Sequence, residues 1–176
     1  MCRGQDKTKV GLLPLGAFLV LAFDWWSKSW IRDNLSLGES LPETGSVRLT
    51  HITNTGSVFG LFPNHTGVLI IATLVILVLV PLFLQYLLAN HPTSVTRLGT
   101  VSLGLILGGA TGNLIDRLRF GYVTDFIDVR LWADFHWPAF NLADASIVIG
   151  TLVFIYSLYQ TGLFTQVHGY GDQSRG

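Results

Sequence analysis

Charge is what this sequence has least of. Asp, Glu, Lys and Arg make up only 12% of its residues, about half the roughly 25% of a typical soluble protein. The eleven basic and eleven acidic residues cancel, so there is no global basic field of the kind that nucleic-acid binding uses. Cysteine is nearly absent. Cys2 stands alone, which excludes an internal disulfide and a second thiol for a metal site, and it reads as a free thiol without a role. Histidines occur at 51, 65, 91, 136 and 168 but never as H-E-x-x-H, so the usual helix-borne zinc pair is missing. "GSVFG" is not the G-x-S-x-G elbow of a serine hydrolase, because Ser57 directly follows Gly56. No glycine-rich loop ends in Lys-Ser or Lys-Thr to cradle a phosphate. Carboxylates remain the best candidates for hydrolytic chemistry.

What fills the space is hydrocarbon. Hydrophobic residues reach 49% and mean hydropathy is +0.49, the balance of a membrane protein, and 176 residues suffice for one domain covering 1–176. Four apolar runs stand out, at 10–23, 67–89, 98–115 and 145–164. A bilayer needs about 20 residues per helix and forces each backbone to satisfy itself, so helices are predicted rather than strands. With their flanks the spans cover about 10–28, 67–90, 97–115 and 142–164, leaving long loops at 29–66 and 116–141. The first run has the basic start of a signal peptide, but "LAFDWWSK" follows it with bulky residues instead of a small-x-small site, so it is expected to be retained. Basic residues divide five to six between the two sides, which leaves orientation open by count. Arg3, Lys7 and Lys9 crowd the start of the first helix and favour a cytoplasmic N-terminus, with both long loops outside.

The loops hold the chemistry. "SVRLTHIT" (46–53) alternates and is β-branched, which predicts a strand, with "ETGS" as a turn and "LGESLP" as its partner. "NTGSVFGLF" (54–62) reads as a re-entry loop in which Gly56 and Gly60 permit tight turns. The second loop mixes Asp116, Asp125, Asp128 and Asp134 with Arg117, Arg119, Arg130 and many aromatics, and reads as an amphipathic helical segment at the interface. For Asp134 a solvated face is the plainer reading. Gly104, Gly108 and Gly112 give the third helix a face for close packing. If the fourth helix packs there, Asn113, Asp116 and Arg117 come near Asn141 and Asp144. Asp144 stands at the threshold of the last apolar run, a poor place for a charge without a purpose. Two carboxylates at one low-dielectric site share a proton, so one can deprotonate water while the other protonates a carbonyl oxygen or leaving amine. The residues alone favour Asp144 and leave its partner open among Asp125, Asp128 and Asp116. Asp116 beside Arg117, and Asp128 beside Arg130, are equally well explained as structural ion pairs.

"DWWSK", "NTGSVFGLF", "GGATGNLIDR", "VTDFID" and "FNLADAS", in this order and spacing, resemble the signatures of lipoprotein signal peptidase (signal peptidase II) along essentially the whole chain. The resemblance implies an all-α membrane protein with a small β element: four transmembrane helices, an extracytoplasmic sheet that cradles substrate, and the interfacial helical segment. It implies an aspartic peptidase of the bacterial inner membrane, multi-pass, with both termini cytoplasmic and the site near the extracytoplasmic face. Such an enzyme removes the signal peptide from prolipoproteins, cutting just before a cysteine that carries diacylglycerol. Its partners are that substrate and membrane lipid, not nucleic acid, and it works as a monomer without cofactor or metal. By this likeness the dyad is Asp125 and Asp144, while Asp24, Lys28, Asn54, Asn113, Arg117 and Asn141 shape the site or hold substrate. Ser57-Val58, where small residues are commoner, is a small departure. The rival readings are a small transporter or assembly factor, which would be expected to carry acids at mid-span, and a lipid-modifying enzyme.

Overall fold

The computed structural model describes residues 3–56, 65–132 and 135–162. Cys2, the stretch from Ser57 that includes Val58 and Gly60, Asp134, and the tail after Gly162 lie outside the described residues. Among these residues four α-helices and four strands follow one another: α1 (Arg3–Asn34), β1 (Ser40–Leu41), β2 (Val47–Asn54), α2 (Thr66–Asn90), α3 (Arg97–Phe120), β3 (Val123–Trp132), β4 (Phe135–Phe140) and α4 (Leu142–Gln160). Among the described residues three helices, α2, α3 and α4, are long and apolar enough to cross a membrane. Their sequences carry no strong amphipathic stripe, because lipid on one side and helix on the other both call for apolar residues. α3 is the most buried of them and α2 is almost wholly exposed.

The glycine stripe of α3 packs on α1, not on α4. A Cβ at Gly108 would lie 2.6 Å from the Ala17 carbonyl oxygen of α1, closer than any side chain permits. The neighbouring Gly109 turns instead toward α4, where a Cβ would meet Ile147 at 2.9 Å. Two small-residue faces thus seat α3 between α1 and α4 and bring their ends together at Asn113. Leu84, Leu87, Val95, Leu103 and Leu158 close the opposite end of the bundle.

The segment read as an interfacial helix is two strands. Over 123–132 "VTDFIDVRLW" is rich in β-branched residues and alternates apolar with polar from Ile127 to Leu131, and β2 offers it a complementary edge. Pro138 would also break a helix there, whereas it fits β4 at the sheet edge. The strands form one antiparallel sheet in the order β1-β2-β3-β4. The partner strand read in "LGESLP" is confined to Ser40–Leu41, which pairs with Thr50 and Leu49. Val47 faces Val129 and Asn54 faces Val123 across β2 and β3. Ile31, Leu35 and Phe126 fasten the sheet to the end of α1.

Candidate active site

α4 starts where the sheet ends. Asn141 is its N-cap: Oδ1 accepts the Asp144 backbone N–H at 2.9 Å, and Asp144 Oδ2 accepts the Asn141 N–H at 3.3 Å. This reciprocal capping box satisfies two otherwise orphaned donors and fixes Asp144 in the first turn, where the helix dipole favours an anion. The carboxylate at the apolar threshold therefore has a structural reason to be there.

The other amide hydrogens of Asn141 connect the two acids. Nδ2 donates to Asp125 Oδ1 at 2.7 Å, so a single fully buried side chain spans from the α4 cap to β3. Asn54, at the end of β2, donates to Asp125 Oδ2 at 2.8 Å. Asn113, on α3, donates to Asp144 Oδ1 at 2.7 Å. Asp125 is 1% exposed, and its pKa is raised from 3.8 to about 7, first by burial and then by the nearby Asp144 charge, against the two amide bonds that favour ionisation. A carboxyl group so placed titrates near neutrality.

Behind the acids lies an ion cluster. Lys28 Nζ is 2.8 Å from Asp24 Oδ2 and 3.4 Å from Asp116 Oδ2, and it donates to Asn113 Oδ1 at 2.9 Å. Asp24 Oδ1 also accepts the Ala143 N–H at 2.9 Å, tying α1 to the start of α4. Asp116 accepts the Thr124 N–H at 3.0 Å and pairs with Arg32, not with Arg117. Arg117 points the other way and donates to the Gly56 carbonyl at 3.2 Å. All eight residues singled out in the sequence, Asp24, Lys28, Asn54, Asn113, Arg117, Asp125, Asn141 and Asp144, thus meet at the sheet end of the bundle.

Asp128 does not join them. Across β2 and β4 it binds Arg48, Thr50 at 3.2 Å and His136 at 2.7 Å, and not the adjacent Arg130. Burial pushes its pKa up, but the bonds from His136 and Arg48 outweigh that and hold it below 3.8. Among the described residues no cluster of His, Cys, Asp or Glu is arranged to hold a metal ion.

A cleft of about 270 Å³ opens on this end, lined by Asp144, Asn113, Arg117 and Asn54 together with apolar side chains. Sequence reasoning did not mark its walls. Leu69, Ala72 and Ile76 of α2 form one side, and Trp137 and Phe140 of β4 the other. The only available signal was that "HWPAF" immediately precedes the α4 cap. Asp144 faces the cleft while Asp125 stands behind it. An apolar cleft with a few convergent polar groups is the form of a ligand site.

Residues 16–160 match the family model described as signal peptidase (SPase) II. The chain is similar to the lipoprotein signal peptidase of Moorella thermoacetica, 46% identical over 143 residues, covering 81% of this chain and 89% of that protein. It is similar also to that of Dehalococcoides mccartyi strain 195, 42% identical over 153 residues and covering 86% and 88%. A solved structure described as a bacterial membrane enzyme, determined by the in meso method at 2.3 Å resolution, superposes with a TM-score of 0.72 at 29% identity, over 85% of this chain and 88% of that one.

Proposed function

The chain belongs to the signal peptidase II family, and from that premise we propose that it is an aspartic endopeptidase that cleaves diacylglyceryl-modified prolipoproteins on the N-terminal side of the lipidated cysteine, with Asp125 and Asp144 as the dyad. The observation that carries the reading is the Asn141 bridge, which holds two carboxyl groups together beside an apolar cleft. Asp144, open to the cleft, takes a proton from water. Asp125, protonated near neutral pH, passes its proton to the carbonyl oxygen or the leaving amine. Arg117, on the same cleft wall, holds the substrate backbone in this reading. The apolar walls from α2 and β4 suit a hydrophobic signal segment and its lipid.

The deciding experiment offers purified protein the same precursor with and without diacylglycerol. Cleavage of the lipidated form just before its cysteine, with the unlipidated form left intact, is the expected outcome. Lipid transfer or transport without a cut peptide bond would overturn the reading.

On this reading α1 is a fourth span and the protein is multi-pass in the bacterial inner membrane, with both termini cytoplasmic and the sheet outside. Reporters fused after residue 93 should accordingly be cytoplasmic, and those near residues 40 or 134 extracytoplasmic. The opposite pattern would put the dyad on the wrong side of the membrane.

A further inference from the structure

Lys28 sits where a lysine is costly, with its side chain 1% exposed between α1 and α3. Asp24 and Asp116 already supply more than enough negative charge to balance it. Its third bond, to Asn113 Oδ1 at 2.9 Å, is not needed for neutrality. That bond does something else.

The two ends of an asparagine amide have nearly the same shape and opposite hydrogen-bonding roles. An ammonium can only donate, so the end of Asn113 that meets Lys28 must be its oxygen. The NH2 end is then turned toward Asp144, where it donates at 2.7 Å. Asn141 Nδ2, at 3.2 Å from the same Asn113 oxygen, reinforces the choice. The reversed amide would set its oxygen against a carboxylate and its NH2 against an ammonium, and both contacts would be repulsive. We infer that Lys28 is a positioning residue for the cleavage reaction, locking the Asn113 amide so that its NH2 end holds Asp144 in place. This rests on the reading of Asp125 and Asp144 as the dyad. Lys28 does not line the cleft, so its loss should spare substrate binding and slow the chemical step.

Removing Lys28 alone would leave the buried Asp24 carboxylate without its counter-ion. The test therefore uses Asp24→Asn/Lys28→Met, compared with Asp24→Asn. Asn at 24 can still accept the Ala143 N–H, and Asp116 keeps Arg32 and Thr124. Residues that orient metal ligands from behind typically matter by about 10- to 100-fold, and for this amide-to-carboxylate support kcat should fall by a comparable factor. KM should change by less than about twofold, the pattern of an interaction that acts on turnover rather than on uniform binding. In an Asn113→Ala background the same change at 28 should cost nothing further, because its route to Asp144 is already gone. Asp24→Asn/Lys28→Gln, whose shorter polar side chain is easier to bury and cannot reach Asn113, should repeat the result if the Met variant fails to accumulate. Leu158→Ala, in the distant end of the bundle, should lower the melting temperature and leave kcat alone. Unchanged kcat in a folded variant, losses that multiply with Asn113→Ala, or a kcat that simply follows melting temperature would each overturn the assignment. Asp144→Asn is assayed in parallel. If that variant cleaves at the normal rate, the dyad reading itself fails, independently of the Lys28 results.

Discussion

Asp125→Asn and Asp144→Asn should each reduce cleavage by about 10²- to 10⁴-fold, the usual contribution of a general acid or base, while the protein still inserts and accumulates. Asn preserves shape and most hydrogen bonding but cannot take up and return a proton. The double variant should be little worse than either single one, since groups that act as a unit lose nearly everything at the first removal. Asp128→Asn is the internal control. It weakens the ties to Arg48 and His136 that hold β2 and β4 to β3, so it should lower the melting temperature and keep substantial turnover. Normal cleavage by either dyad variant, with Asp128→Asn folded and inactive, would mean that the wrong carboxylates have been paired. Membrane levels measured alongside separate lost chemistry from lost protein.

The reason Asp125 could not be told from Asp128 in the sequence is geometric. Read as a helix, 125 and 128 are three apart and share a face. In β3 an odd separation puts them on opposite sides of the sheet. Only Asp125 then turns toward Asn141 and α4, while Asp128 turns to Arg48 and His136. The mixture of acids and aromatics that looked amphipathic is produced by a strand with one polar network on each face. Asp116 was legible as an ion-pair residue, but its partners are Lys28 and Arg32, from a helix 84 to 88 residues away in the chain. Local adjacency favoured Arg117, and tertiary packing overrode it.

Apolar length was easier to read. The runs at 67–89, 98–115 and 145–164 lie within or overlap α2, α3 and α4, because continuous hydrocarbon of that length has few other stable forms. The glycines announced a close approach without naming the neighbour. The stripe faces α1, with Gly108 against Ala17, while Gly109, which the four-residue spacing did not include, faces α4. The Asn141 bridge was the least visible feature. "FNLAD" shows an N-cap followed three residues later by an acid, a capping-box pattern that accounts for the backbone bonds alone. Nothing local shows that the spare amide hydrogens reach a strand 16 residues earlier.

The alkaline side of the pH–rate profile should report Asp125. Its pKa of about 7 lies above the ordinary 3.8 because the carboxyl group is buried and because Asp144 is close. The acid must be protonated to serve the leaving group. Raising the pH through 7 removes that proton, and kcat should fall about tenfold per unit beyond the limb. Folding obeys the same sign: the stability gained from the tighter proton is full below about pH 4 and disappears as pH rises through 7. Asn54→Leu provides the directional check. Asn54 donates to Asp125 Oδ2 and so favours the ionised form. Removing that donor raises the pKa further, so the alkaline limb should move to higher pH even if the maximal rate drops. The measurement is kcat against pH for lipidated precursor, wild type beside variant. A limb that stays put, or moves to lower pH, would show that the group titrating there is not Asp125.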